Sequence, residues 1–236
     1  KSLWSGRPVV AEIQRRFPVT LQLAVLTFLF SIAIAIPTGV LSALRQDTWS
    51  DYVGRVVSIG GIAMPTFWSG TLAILFLVQA FDWIPPLGTP GLFEDPKTLL
   101  SQLIWPALAL GYFQAGVISR MTRSTMLEVL RQDYVRTAWA KGLRERAVVA
   151  RHALKNAMLP VITLSGIQVG HLLGGTVIME SIFVLPGIGS YLLQALLSRD
   201  YPVIQSLIVL LAGIFVLVNL VVDLLYGWLD PRIRYE

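Results

Sequence analysis

Residues 98–119 read TLLSQLIWPALALGYFQAGVIS, 22 positions without a charge, and residues 120–155 right after them carry nine Lys and Arg against three acids. At 1.5 Å rise per residue, about 20 apolar residues cross the roughly 30 Å hydrocarbon core of a bilayer. An uncharged run of that length beside a dense basic loop is the pattern of a membrane helix entering the cytoplasm. Four more uncharged runs lie around it, at 17–44, 56–81, 156–179 and 201–222, of 28, 26, 24 and 22 residues. One Lys, Arg or Asp at a helix centre costs about 2.5–3.5 kcal/mol in lipid, so five clean runs are not chance. Period-2 alternation is missing, which argues against a membrane β-barrel. Only 14% of the 236 residues are charged and 55% are hydrophobic, whereas a soluble domain carries about 25% charged residues. A water-soluble globular protein is excluded, and so is a disordered chain. The fold class read from these runs is all-α, a polytopic helical membrane protein with five spans.

A sixth uncharged run, 181–198, holds Pro186-Gly187-Ile188-Gly189 near its middle. The piece after it is too short to cross, which predicts a loop and a short helix dipping back towards the membrane, a kinked sixth span being the alternative. Lys and Arg number thirteen in residues 45–55, 120–155 and the tail after 222, against six in residues 1–18 and at Lys97 and Arg199. The positive-inside rule therefore puts loop 120–155 and the C-terminus in the cytoplasm and the N-terminus outside. Residues 1–18 read as the end of an external loop, and 19–236 as the membrane domain. An outside start with four basic residues predicts a sixth helix upstream. The net charge of +5 is explained by the loop, so nucleic acid is not an expected partner.

Within 120–155 the single glycine is Gly142, which predicts two helices joined there. Met121, Met126, Leu127, Leu130, Tyr134, Ala138 and Trp139 recur at spacings near three and four. That pattern extends the third span into the cytoplasm and then turns an apolar side towards something. A solvated loop is the bland reading. A docking surface for a cytoplasmic partner is the sharper one.

The stretch Tyr134-Val-Arg-Thr-Ala-Trp-Ala-Lys-Gly142-Leu143, followed by Arg151-His-Ala-Leu-Lys-Asn-Ala-Met-Leu-Pro160-Val-Ile-Thr163, resembles the cytoplasmic signature of binding-protein-dependent ABC importer permeases. More narrowly, the chain resembles the B-type permease subunit of the dipeptide, oligopeptide and nickel group. The resemblance runs on through Glu180-Ser-Ile-Phe-Val-Leu-Pro-Gly-Ile-Gly189, Arg199-Asp-Tyr-Pro-Val-Ile-Gln205 and Leu229-Asp-Pro-Arg-Ile-Arg234. Upstream, Gly6-Arg-Pro-Val9 and Arg16-Phe-Pro-Val-Thr-Leu21 match the end of the external loop before that group's second helix. It implies the type I ABC importer transmembrane fold, with six helices of which the first is absent here. It also implies a second related permease subunit, two ATPase subunits and an external solute-binding protein as partners. By the resemblance Arg136, Thr137, Ala138, Gly142 and Leu143 carry the ATPase coupling, with Ala138 and Gly142 small for close approach and Arg136 and Leu143 as contact side chains. The general signature begins Glu-Ala-Ala; this chain has Arg136-Thr137-Ala138 there, so its acidic position is basic.

Run 156–179 carries Gly166, Gly170 and Gly174 at intervals of four, a stripe that lets another helix approach closely. Ser165, Gln168 and His171 form a polar stripe on another face. Two readings stand for these three: lining of a translocation path, or interhelical hydrogen bonds. Glu180 at the outer end is a gate or an interfacial anchor, the anchor being favoured. Leu164-Ser-Gly-Ile-Gln168 imitates an ATPase signature inside an uncharged span, and is coincidence. Ser165 and His171 lie about 9 Å apart along the helix axis, too far for a nucleophile–base pair. Pro37, Pro65, Pro106 and Pro160 are candidate hinges, although proline is also simply common in membrane helices. The external segment 82–97 is a candidate contact for a docking receptor.

No Gly-x-x-x-x-Gly-Lys-Ser/Thr loop occurs in the sequence, so ATP and Mg are expected on the partner ATPases and no cofactor in this chain. No catalytic residue and no metal site is expected. The function expected is ATP-driven import of a small solute, short peptides first, by alternating access in a bacterial plasma (inner) membrane. Nickel or another small solute is the alternative cargo. An ATPase-independent secondary transporter or membrane scaffold is the alternative class.

Overall fold

A computed structural model describes residues 1–86, 88 and 95–229, the side chains of residues 173, 223 and 225–229 excepted. Nine α-helices and one π-turn make up its regular structure, and no strand occurs among the described residues. They are α1 (Val9–Leu44), α2 (Trp49–Ala63), α3 (Thr66–Phe81), α4 (Pro96–Leu130), α5 (Asp133–Ala140), α6 (Glu145–Val148), the π-turn Val149–Ala153, α7 (Leu154–Ile182), α8 (Ile188–Ser198) and α9 (Tyr201–Leu229). The all-α class is as expected. The motif from Asp230 to Arg234, and residues 87 and 89–94 of the external segment, lie outside the described residues.

Several boundaries differ from the sequence reading, each for a local reason. The run 56–81 is not one helix but breaks between α2 and α3 at Met64-Pro65, where Pro65 is extended (φ −58°, ψ 137°). Proline disfavours helical backbone at the residue before it and cannot donate to the ladder. α1 begins at Val9, so residues 9–18 are helix and not loop. Glu12 there draws Arg7, Arg15 and Arg16 to within 3.3, 2.8 and 3.3 Å, two of them at helical spacing. α4 starts on a cap: Asp95 accepts the Thr98 amide at 3.1 Å, and Pro96 takes the first helical position. It then runs unbroken through Pro106 to Leu130, the predicted extension past the membrane.

By length and apolarity α1 and residues Tyr201–Val222 of α9 can each cross a membrane, and up to four segments can if α2–α3 and the two parts of α7 each count as one span. α4 is less apolar because of Gln102 and Gln114, yet both are turned inward and buried. The outer surface is lipid-like. Val209 is 72% exposed, and Val216, Leu217, Leu220 and Leu224 of α9 are exposed with it. A contiguous apolar face of that kind calls for a non-aqueous neighbour.

The chain forms two compact units threaded by α1, α4, α7 and α9. The first comprises Lys1–Phe30, Met64–Tyr112 and Val169–Val218. Its core joins Val19 and Leu23 of α1, Leu77 of α3, Leu103 and Leu110 of α4, Leu172 and Met179 of α7, and Phe183. A second cluster seats α8 through Ile188 and Ala195 on Val9, Val203 and Leu207. The other unit comprises Ser31–Ala63, Phe113–Gln168 and the chain from Asn219. Ala35, Ala115, Ile118 and Val161 pack together there, and Ala43, Met126, Val149, Ala153 and Ala157 form a second cluster. Small residues govern this packing, since lipid gives apolar side chains little reason to leave it. A Cβ on Gly39 would lie 2.6 Å from Thr122 Cβ, and one on Gly116 would lie 2.5 Å from the Ser58 carbonyl oxygen.

Candidate functional site

The segment between α4 and α7 is built to present a surface. α5 is eight residues long and buries only Val135 and Ala138, which pack with Val148. Every other residue from Arg131 to Arg146 is exposed. Tyr134, Trp139 and Leu143, all large and apolar, are 41–43% exposed. They stand beside the exposed cations Arg136, Lys141, Arg144 and Arg146.

The turn after α5 fixes that display. Gly142 has φ +77°. Its amide donates to the Trp139 carbonyl at 2.9 Å, and the Leu143 amide reaches the Ala138 carbonyl at 3.4 Å. These two bonds make a Schellman cap, which needs a left-handed residue that glycine supplies at least cost. Gly142 is the joint that the sequence predicted, lying between α5 and α6. A Cβ there would meet nothing within 4 Å. Ala138 is 5% exposed and packs within its own chain against Val135 and Val148. Arg136 and Leu143 point outward, and Thr137 donates to the Asp133 carbonyl at 2.8 Å. Behind them the Tyr134 hydroxyl accepts a 2.7 Å bond from the Asn156 amide, tying α5 to α7. The π-turn adds a residue to the ladder at the start of α7, the kind of bulge common next to working surfaces.

Glu180 occupies a different setting from the two foreseen for it. Its carboxylate is completely buried and sits at the start of α8, where the N-cap Gly187 has no side chain to cap with. One oxygen accepts the Thr20 hydroxyl at 2.6 Å and the other the Ser190 amide at 2.8 Å. Thr20 Oγ1 in turn accepts the Ile188 amide at 2.8 Å. A residue from α7 and one from α1 therefore cap the helix that neither belongs to, with negative charge at its positive end. The approach is so close that a Cβ on Gly187 would lie 2.2 Å from the Glu180 carboxyl carbon. In the same loop Val184 is left-handed at φ 55°, a costly conformation for a β-branched residue.

The polar stripe of α7 divides. Ser165 is buried and donates to the Val161 carbonyl at 2.7 Å. Gln168 is buried, and its backbone carbonyl accepts the Gln114 side-chain amide at 2.8 Å. His171 is exposed. The glycine stripe divides too. Cβ atoms on Gly166 and Gly170 would lie 2.4 Å from Val222 and 2.5 Å from Phe215 of α9, whereas one on Gly174 would meet nothing within 4 Å. Close packing moves instead to Gly175, where a Cβ would be 2.9 Å from Leu110.

Sequence reading missed one centre altogether. Asp51 is fully buried, and Arg123 grips it through Nε and Nη2, both at 2.8 Å. The Ser42 hydroxyl also donates to it, as does the Asp47 amide at 3.1 Å. The partners are 72 positions apart, so no local pattern announces them. A second carboxylate, Asp200, is buried between α8 and α9, and accepts Ser2 Oγ and, at 3.2 Å, the Leu3 amide. Burial pushes its pKa up, but the Ser2 hydroxyl and the Leu3, Val203 and Trp4 amides outweigh burial and hold the pKa below the ordinary carboxylate range.

Comparison with known proteins follows the same outline. The sequence profile of the family described as "Binding-protein-dependent transport system inner membrane component" matches residues 35–235. The chain is 42% identical over 254 residues to the dipeptide transport system permease protein DppB of Alkalihalophilus pseudofirmus, covering 99% of this chain and 76% of that one. It is 43% identical over 258 residues to DppB of Escherichia coli K12, covering 100% and 76%. Among solved structures, the inward-facing MetNI methionine ABC transporter aligns with a TM-score of 0.78 at 17% identity, covering 95% of this chain and 99% of that one.

Proposed function

The chain belongs to the family of binding-protein-dependent transport system inner membrane components, and we propose that it is the permease subunit of an ATP-driven importer of short peptides. Relatives named as dipeptide permeases match nearly the whole of this chain over 76% of their own length, and its fold is that of ABC importer membrane subunits. The observation that carries the mechanism is the outward display of Tyr134, Arg136, Trp139 and Leu143 on a helix closed by the Gly142 cap. A short amphipathic helix with its apolar residues left uncovered fits a groove on another protein.

On this reading each of two ATPase subunits, holding ATP and Mg, grips such a segment on this chain and on a second related permease. Closure of the ATPases pushes α5. The push reaches the membrane helices through α4 and through the Tyr134–Asn156 tie to α7. Five spans cross the inner membrane, the second of them broken at Pro65, and the C-terminus is cytoplasmic. An external binding protein delivers the peptide to the opposite face. Of the path candidates His171 is assigned to the path, because its side chain is exposed. Ser165 and Gln168 are assigned to packing, and Glu180 to holding α8 in place.

The test is uptake by proteoliposomes containing the full-length permease with its partner permease, ATPases and receptor. Labelled dipeptide should accumulate only with internal ATP and receptor. Nickel accumulation without dipeptide accumulation would replace the cargo, and ATP-independent uptake would remove the importer reading.

A further inference from the structure

Beside the Asp51–Arg123 pair lies a cavity of about 280 Å³, lined by Arg55, Arg120, Arg123, Ser58, Ser119 and Ser124 among others. Three guanidiniums line it, and two of them, those of Arg123 and Arg55, face the Asp51 carboxylate. Asp51 neutralises one of them, and the cavity keeps an excess of two positive charges. Arg123 spends Nε and Nη2 on Asp51, which leaves Nη1 as a donor. Arg55 lies over the Tyr52 ring at 4.5 Å, and its Nη2 comes no nearer than 3.5 Å to Asp51. Its Nε and Nη2 are buried without a hydrogen-bond partner among the described residues. A buried donor left unmade costs the full desolvation of the group, and more when the group is charged. Arg120 and Ser124 are exposed at the rim, and neither makes a side-chain hydrogen bond or ion pair among the described residues. The lining thus offers free cationic donors and a hydroxyl, and the neighbouring carboxylate of Asp51 is already engaged by Arg123.

We propose that this cavity binds a phosphate group, with Arg55, Arg120 and Ser124 as its ligands and Arg123, held rigid by Asp51, as its wall. Planar guanidinium forks match phosphate oxygens two at a time, and the bonds are charge-assisted. The phosphate has two sources, an anionic phospholipid headgroup or free phosphate. The surroundings suit the headgroup. Val56 and Ile59 of α2 are exposed apolar residues next to the cavity, and Tyr52 and Trp49 stand exposed about one and two turns earlier, as aromatic residues do at a membrane interface. Basic pockets between helices on the cytoplasmic side commonly take such headgroups. The site is distinct from the α5 surface and does not depend on the identity of the imported solute.

The test uses the full-length permease purified in its transporter complex. Two probes are titrated: a fluorescent phosphatidylglycerol in mixed micelles, with the phosphatidylcholine analogue as control, and radiolabelled inorganic phosphate by equilibrium dialysis. Wild type should bind phosphatidylglycerol over phosphatidylcholine, and R55Q/R120Q should raise the Kd by ~10-fold or more, through loss of two charge-assisted contacts. The exposed substitution Ser124→Asp, which leaves the Asp51 network untouched, should weaken binding as well by setting a carboxylate at the rim. Selective binding of inorganic phosphate, lost in the same variants, would assign the site to free phosphate. Wild type binding neither probe, or variants binding as tightly as wild type, would overturn the proposal.

Discussion

Glu180 and Gly187 explain each other. The carboxylate caps α8 only because the chain at Gly187 has no side chain in its way. Hydrogen bonds hold the carboxylate in place, so it cannot step aside for a methyl group. Gly187→Ala should therefore cost about 1–3 kcal/mol through overpacking, and the thermal midpoint of the detergent-solubilised protein should fall. Gly174→Ala is the internal control: open space surrounds that position, and alanine is the better helix former by about 1 kcal/mol. Its midpoint should hold or rise, and equal losses for the two variants would refute the close-packing account. Gly142 was legible in the sequence because one glycine in an otherwise helix-compatible stretch marks a joint. The contact between Gly187 and Glu180 was not legible, since it depends on how the loop after α7 folds back over it. Asp51 and Arg123 were hidden for the same reason, being far apart along the chain. Even the glycine ladder of α7 misled at its third rung. A spacing of four predicts a shared face, but which glycine meets a neighbour depends on where that neighbour passes.

Helix beginnings and breaks followed local chemistry more often than hydropathy. Charge-free runs located α1, α4, α7 and α9, while Pro65 divided a run that hydropathy left whole. Pro106 and Pro160 stay inside their helices, so the residue type alone does not mark a break. The start of α9 offers a test. Asp200 precedes it and at the same time fastens residues 2–4. Its folded pKa lies below the unfolded value of about 3.9. For a depressed carboxylate the stabilisation is present above the unfolded value and disappears as pH falls through the folded one. The difference in thermal midpoint between wild type and Asp200→Asn should accordingly be constant from about pH 8 to pH 5 and shrink below about pH 4. A difference that vanishes near neutrality would show that the carboxylate is not held as described.

For the whole molecule, the charge deficit that excluded water as solvent and the basic loop that carries nine of nineteen cations are two sides of one design. Lipid strips charge from the spans, and the cations collect where a motor subunit is proposed to bind. The Gly142 cap sets the surface through which ATP hydrolysis is proposed to drive the permease. A residue with a Cβ in the left-handed conformation costs roughly 1–2 kcal/mol, enough to disrupt an eight-residue helix end while sparing the membrane core. The direct measurement is dipeptide imported per ATP hydrolysed, in proteoliposomes of the complete transporter carrying Gly142→Val. Import should fall by ~10-fold or more, with ATP hydrolysis retained and the permease still inserted and folded. Import per ATP equal to that of wild type would contradict it.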